Sequence, residues 1–242
     1  MPVFNASART QRTLIAMSLA MGGLYFAAFI WMLGFLPIPQ ADLPAEQVAE
    51  LYAHANLRFR LGVMVMIVCG GFYLPWALVV AVQMARIERN RSIWTWMQVL
   101  ASFAGAWIFA LPPVLWGAAA YNVQRDPALT LLMHELAWLM FITPASFFPF
   151  QLIPVGIVSL SRHNVAPDTA FPRWLGWMNV MAGLITSEGF VAQVFNRGPF
   201  SWAGVVPFYL PAIIFGIWMI TMAVSMWRAT GRQEAAEAAA GS

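Results

Sequence analysis

The sequence contains no lysine, one cysteine and very little charge. Charged residues make up 10% of its 242 residues, whereas soluble domains carry about 25%. Because Cys69 is the single cysteine, no disulfide can form within the chain. All thirteen basic residues are arginine, and they form no large, aromatic-interleaved cluster of the kind that binds nucleic acid. The composition excludes an intrachain disulfide framework and argues against nucleic acid as a partner.

Motifs of the common enzyme classes are also missing. Three histidines are too few for the histidine-rich box of a membrane di-iron oxygenase. The chain has no nucleophile elbow, phosphate-binding loop or dinucleotide fingerprint. His134 has the chemistry of an axial haem ligand, but no other feature points to haem. The sequence therefore predicts no metal site and leaves any cofactor unknown.

Apolar residues are in large excess and make up 61% of the chain. A soluble core cannot absorb this excess, so the lipid bilayer must solvate the chain. A helix needs about 20 mostly apolar residues to cross the hydrocarbon core. Six runs are long enough: about 14–36, 61–85, 93–119, 129–160, 174–195 and 203–227. We predict an all-α, polytopic transmembrane bundle forming one domain over residues 1–228, with a flexible cytoplasmic tail at 229–242.

The arginines predict the orientation of this bundle. With a cytoplasmic N-terminus, nine arginines fall on the cytoplasmic side and four on the outer side. The nine are Arg9, Arg12, Arg86, Arg89, Arg91, Arg162, Arg173, Arg228 and Arg232; the four are Arg58, Arg60, Arg125 and Arg197. Because arginine-rich loops stay in the cytoplasm, we expect both termini there. The first outer loop is predicted to carry an amphipathic helix at about 44–56.

One histidine and two glutamates lie unexpectedly inside the apolar runs. His134 and Glu135 are adjacent in "LLMHELAWLMF" (131–141), and Glu188 lies in the next run. The predicted topology places all three at a similar depth in the outer half of the bilayer. A charge at the bilayer centre costs about 2.5–3.5 kcal/mol, and such residues usually face a partner or a cavity. The two hypotheses are a shared functional pocket and simple helix packing.

Prolines and amides give further expectations. Pro112 and Pro113 in the third run, and Pro207 and Pro211 in the sixth, are expected to interrupt their helices, as at many transporter binding sites. The run 129–160 is expected to be kinked or divided. Interhelical hydrogen bonds are predicted for three residues: Gln98, Ser102 and Gln151.

Three segments resemble an uncharacterised family of small, six-span bacterial membrane proteins found in actinobacteria and some proteobacteria. They are "FPRWLGWMNV" through "FNRGPFSWAG" (171–204), "AEQVAELYAHANLRFRLG" (45–62) and "MARIER" (84–89). The resemblance implies a multi-pass protein of the bacterial cytoplasmic (inner) membrane. It carries no catalytic residue over to this chain.

Three functions remain open from the sequence. The first is a membrane-embedded enzyme or binder that takes a lipophilic small molecule. As an enzyme it would catalyse isomerisation, cyclisation or epoxide opening, with Glu135 and Glu188 as acid and base and His134 as a proton partner or orienter. The second is a small proton-coupled carrier that uses the same carboxylates. The third is a non-catalytic subunit of a membrane complex. A homo-oligomer and a partner membrane subunit are both compatible with the sequence.

Overall fold

The computed structural model describes residues 4–88, 92–165 and 169–240. The structure is 81% helix, with no strand in the part of the chain that it describes, which confirms the all-α class. Arg89 and Arg91 of the orientation argument, and residues 241–242 of the predicted tail, lie outside these ranges.

Nine α-helices lie within the described ranges. They are α1 (Ala8–Ala27), α2 (Ala45–Ala53), α3 (Asn56–Cys69), α4 (Tyr73–Glu88), α5 (Ile93–Tyr121), α6 (Pro127–Ile142), α7 (Phe147–Leu160), α8 (Arg173–Ile185) and α9 (Leu210–Ala240). A π-helix extends α1 over Ala28–Met32, and another precedes α9 over Val205–Tyr209. The sequence predicts a loose tail from residue 229, whereas α9 continues as helix to Ala240.

Five helical segments are long and apolar enough to cross a membrane, as in a multi-pass membrane protein. They are Ala8–Met32, Asn56–Glu88, Ile93–Tyr121, Pro127–Leu160 and Gly198–Ala236. These segments correspond to five of the six predicted runs. The remaining run, 174–195, does not form one long helix.

Run 174–195 divides because two side-chain hydroxyls in its middle donate hydrogen bonds to backbone carbonyls of the preceding turn. α8 ends at Ile185, and a 3₁₀-helix covers Glu188–Gln193. The hydroxyl of Thr186 donates to the carbonyl of Ala182, and that of Ser187 to the carbonyl of Leu184. Such local bonds compete with regular helix hydrogen bonding. The sequence places Glu188 inside a long helix, whereas in the structure Glu188 lies after the end of α8.

The prolines act differently in the three runs where an interruption, kink or division is expected. In the sixth run Pro207 lies in the π-helix Val205–Tyr209, and α9 begins directly after it and continues through Pro211. Between α6 and α7 a 3₁₀-turn covers Thr143–Ser146, where Pro144 lacks the N–H needed for regular helix bonding. By contrast, α5 continues through Pro112 and Pro113, so the expected interruption is wrong there. Pro113 leaves the carbonyl of Phe109 without its usual partner.

The segment from α8 to Trp202 runs antiparallel beside α7 and then beside α6 as far as His134. At its start, Gly176 packs against Ser159, and further on Gly183 packs against Pro149. The 3₁₀-helix Glu188–Gln193 then packs against Thr143–Ser146. Trp202 finally reaches His134, with ring centroids 6.0 Å apart. This segment thus covers most of the length that α6 and α7 span together.

The two ends of the chain meet in a ring of three buried glutamines. Gln83 on α4 donates to Gln11 on α1 over 2.6 Å, and Gln233 on α9 donates to Gln83 over 3.1 Å. Gln11 closes the ring by donating to Gln233 over 3.4 Å. Beside the ring, Arg12 forms an ion pair with Glu234. We call this end of the bundle the terminal end, and the end that carries α2 the loop end.

The predicted interhelical hydrogen bonds are confirmed for one of the three residues. Gln151 on α7 accepts a hydrogen bond from the Tyr73 hydroxyl on α4 over 2.7 Å. Gln98 instead donates to Ser102 on the same helix over 2.9 Å, so the interhelical prediction is wrong for that pair. The two residues lie four apart on one face of α5, where a local partner is nearer than another helix.

Candidate functional site

His134 is fully buried on α6 and bonds a residue of the loop helix α2. Its Nδ1 lies 2.7 Å from the Oη of Tyr52. Val48 and Tyr52 are the two buried side chains of α2, and both lie on one face. α2 therefore docks against α6 through this face, with the His134 bond at the contact.

The tautomer of His134 follows from the number of buried polar groups that each direction of the Tyr52–His134 hydrogen bond leaves without a partner. Burial raises the pKa of the Tyr52 phenol well above its ordinary value, so the hydroxyl keeps its proton. Donation from Tyr52 to Nδ1 leaves one group of the pair, His134 Nε2, without a partner among the described residues. Donation from Nδ1 to the Tyr52 oxygen would leave two groups unpaired, the Tyr52 O–H and His134 Nε2. Each unpaired buried group costs about 1–3 kcal/mol. We therefore place the imidazole proton on Nε2.

Two indole rings enclose the imidazole of His134. The ring centroid of Trp138 lies 6.2 Å away and that of Trp202 lies 6.0 Å away. The Trp202 Nε1 donates to the carbonyl of Pro39 over 3.0 Å. His134 thereby joins α6 to α2 and to the segment before α9.

Glu135 does not take part in this cluster. It is half-buried, and it makes no hydrogen bond or ion pair among the described residues. Adjacent residues of an α-helix point about 100° apart, so Glu135 leaves α6 in a different direction from His134.

Glu188 is also half-buried and likewise makes no hydrogen bond or ion pair within the described ranges. Its 3₁₀-helix packs beside Thr143–Ser146, about two helical turns along α6 from Glu135. No hydrogen bond or ion pair joins His134, Glu135 and Glu188 in the part of the chain that the structure describes. Their joint catalytic role stays a prediction.

An apolar pocket of about 430 Å³ lies between α1, α5, α6, α7 and the beginning of α9. Eight of its lining residues are aromatic, and none is charged. The aromatic residues are Phe26, Phe29, Phe109, Phe141, Phe148, Phe208, Tyr209 and Phe215. The pocket begins beside the loop end, at Leu36 and Tyr209, and extends about two helical turns along α9 to Gly216.

Two hydroxyl groups are the polar side-chain groups of the pocket lining. The Thr186 hydroxyl donates to the carbonyl of Ala182 over 2.7 Å, which uses its proton. The Tyr209 hydroxyl accepts from the Ile38 N–H at the long distance of 3.4 Å. The Tyr209 proton is therefore not used by a described residue.

Trp138 separates the pocket from His134. Phe29, Phe141 and Phe208 line the pocket, and each packs on the Trp138 ring with centroids 6.0 to 6.4 Å apart. The same indole packs on the imidazole of His134. The pocket and the histidine are thus neighbours within one aromatic cluster.

Neither the role of Tyr52 nor the aromatic pocket is predicted by the sequence. Tyr52 lies 82 residues before His134, and its spacing indicates an ordinary apolar position of an amphipathic helix. The phenylalanines of the pocket resemble any other lipid-facing or core residues. Pro207 and Pro211 are the one sequence signal that marks this region, since both line the pocket.

The described residues include no group of three or more histidine, cysteine or acidic side chains that could hold a metal ion. Comparison with known protein families, curated proteins and solved structures finds no match for this chain. The family resemblance of residues 45–62, 84–89 and 171–204 therefore stays a prediction.

Proposed function

We propose that this protein crosses the bacterial cytoplasmic membrane six times and binds a neutral lipophilic molecule in its aromatic pocket. The observation that carries the proposal is the pocket of about 430 Å³, with an almost wholly apolar lining and an opening at the side of the bundle. Small-molecule sites are typically concave, mostly apolar and about 300–1,000 Å³ in volume.

Six crossings are supported by the meeting of the two chain ends. Gln11 and Gln233 are hydrogen-bonded, so α1 begins and α9 ends at the same end of the bundle. An even number of crossings is needed for this, whereas the long apolar segments number five. The segment from Arg173 to Trp202, which runs beside α7 and beside α6 as far as His134, supplies the sixth. The arginine distribution favours cytoplasmic termini.

Entry from the lipid is supported by the position of the pocket opening. Leu36 and Ile213 line the pocket, and they are 50% and 59% exposed. In a bilayer, exposed apolar side chains of spanning helices face acyl chains. A molecule dissolved in the membrane would therefore reach the pocket between α1 and α9 without passing through water.

The lining defines the class of ligand. Because no charged residue lines the pocket, an ionic ligand would lose its hydration without gaining a partner. The eight aromatic rings favour a flat or polyunsaturated hydrocarbon body. Since the Tyr209 hydroxyl is the free donor, we propose a neutral molecule with one accepting oxygen, such as a carbonyl, ether or hydroxyl group.

A pocket-filling variant tests this proposal. A Cβ at Gly216 would meet no atom within 4 Å, so Gly216→Phe should place a ring in the pocket without displacing its neighbours. We expect wild-type protein purified in mild detergent to carry a neutral lipophilic compound at about one per chain by mass spectrometry. In Gly216→Phe the bound amount should fall about tenfold or more, because the ligand loses most of its buried surface.

Gly23→Phe provides the matched control. Gly23 is exposed on α1, does not line the pocket and also has no atom within 4 Å of a Cβ. This variant should retain the compound at the wild-type level. Equal amounts of the compound in all three proteins, or its absence from the wild type, would contradict the proposal.

Binding is supported ahead of acid–base catalysis by the position of the carboxylates. Neither Glu135 nor Glu188 lines the pocket, and His134 lies behind Trp138. A catalytic role for these three residues would need a substrate that contacts them outside the pocket described above.

A carrier of lipophilic molecules is the second candidate. The pocket is bordered by four helix irregularities, at Ala28–Met32, Thr143–Ser146, Glu188–Gln193 and Val205–Tyr209. Broken helices of this kind surround the binding sites of many transporters. If the protein is a carrier, the bound compound should move between the faces of proteoliposomes, and Gly216→Phe should stop that movement.

A further inference from the structure

A second groove lies between α3 and α5 near the loop end. It has a volume of about 340 Å³. On α3, the groove is lined by residues three or four apart, among them Arg60, Met64 and Val68. On α5, it is lined by Tyr121, Gly117 and Val114. Since such spacings keep side chains on one helix face, the groove runs along the two helices.

The groove has a cationic end and an apolar length. The Arg60 guanidinium carbon lies 5.4 Å from the centre of the Tyr121 ring. Arg60 is exposed and forms no ion pair with any carboxylate among the described residues. From Arg60, the groove extends eight residues along α3 to Val68, which is about 12 Å. Met64 and Val68 are 57% and 70% exposed.

We propose that this groove binds an anionic phospholipid. The phosphate would lie against Arg60 at the membrane–water interface, where arginine and tyrosine commonly reside. One acyl chain would lie along Met64 and Val68 on α3 and Val114 on α5. A guanidinium ion is well suited to phosphate because it offers several N–H donors in one plane.

The groove lining favours a lipid with net negative charge over a zwitterionic one. It contains no carboxylate that could pair with an ammonium headgroup. The ring of Tyr121, which could otherwise attract such a cation, already faces Arg60. The apolar length below Arg60 favours a lipid over a free anion, because exposed Met64 and Val68 offer phosphate no partner.

Native mass spectrometry with two lipids tests this site. Phosphatidylglycerol and phosphatidylcholine with identical acyl chains are titrated into the full-length protein in mild detergent. We expect wild-type protein to retain phosphatidylglycerol about tenfold better, and Arg60→Gln to lose this preference, because the charge-assisted contact is gone. Tyr121→Leu, which removes the ring beneath the guanidinium, should weaken the preference in part.

Arg58→Gln is the matched control, since Arg58 is also exposed on α3 but does not line the groove. It should keep the wild-type preference. The proposal is overturned if Arg60→Gln retains the preference, if Arg58→Gln loses it equally, or if millimolar inorganic phosphate abolishes it. All variants change exposed side chains, and their thermal unfolding verifies the fold. The result is independent of the aromatic pocket, which shares no lining residue with this groove.

Discussion

The bond between Tyr52 and His134 connects two elements that are far apart in the sequence. Tyr52 is 1% exposed and His134 is fully buried, so neither side chain can exchange this partner for water. An isolated polar group at such a position would carry the full cost of its desolvation. At the scale of single residues, this pair explains how the apolar run 131–141 accommodates a histidine.

We predict that Tyr52→Phe destabilises the protein by about 1–3 kcal/mol, because it keeps the ring and leaves His134 Nδ1 without its donor. The measurement is thermal unfolding in detergent, followed by tryptophan fluorescence. Tyr121→Phe is the control, since Tyr121 is 72% exposed, and its unfolding free energy should change by less than about 0.5 kcal/mol. A Tyr52→Phe protein as stable as the control would show that the buried bond contributes nothing.

The sequence identified only part of this residue-scale site. His134 and Glu135 are conspicuous in the sequence because both interrupt an apolar run, but only His134 is fully buried. Its partner Tyr52 is a common residue type in an amphipathic segment. No local pattern could assign the pairing, because the docking of α2 on α6 brings the two together.

Helices α7 and α8 pack closely against each other at two glycines, Gly156 and Gly176. A Cβ at Gly156 would lie 2.5 Å from Val180 Cγ2 and 3.0 Å from the Gly176 carbonyl oxygen. A Cβ at Gly176 would lie 2.8 Å from Ser159 Cβ. Small residues allow such close approach between membrane helices. At the scale of elements, this contact holds the short α8 against α7.

Two glycine-to-alanine variants should therefore change the unfolding free energy differently. Gly156→Ala should lower the unfolding free energy by about 1–3 kcal/mol, because the methyl group overpacks the α7–α8 contact. Gly105→Ala should leave it unchanged or raise it by up to about 1 kcal/mol, since alanine favours the helix. Gly105 is buried in α5, yet a Cβ there would meet no atom within 4 Å. Thermal unfolding of both variants measures the difference. Equal effects would contradict the close α7–α8 packing.

The whole molecule is closed by contacts between its first and last helices. The ring of Gln11, Gln83 and Gln233 joins α1, α4 and α9 at the terminal end. Because each amide both donates and accepts, the ring satisfies most of the polar capacity of three buried side chains. It also brings the two ends of the chain to one end of the bundle.

We predict that cysteines at Ser7 and Ala235 label from the same face of the membrane, and a cysteine at Gln124 from the opposite face. All three positions are exposed. The single native cysteine is first removed as Cys69→Ser. A membrane-impermeant maleimide applied to intact cells should label only Gln124→Cys if the termini are cytoplasmic. Labelling of Ser7→Cys and Ala235→Cys from opposite faces would mean an odd number of crossings and would contradict the proposed topology.

The sequence by itself predicted the helical membrane class, because an apolar excess of this size needs lipid around it and the long, non-alternating apolar runs fit helices and not barrel strands. It also predicted five of the long apolar segments, since a run of about 20 apolar residues is a property of the local chain. The division of 129–160 was predictable for a similar reason, because Pro144 acts on its own helix.

Only the tertiary structure decided which residues form sites. The end of α8 at Ile185, the continuity of α5 through Pro112 and Pro113, the Tyr52–His134 pair and the aromatic pocket all depend on packing. In an apolar chain, the same phenylalanine can face lipid, core or cavity with no change in the local sequence. Its role is set by which helices lie beside it, and that depends on contacts between residues far apart in the chain.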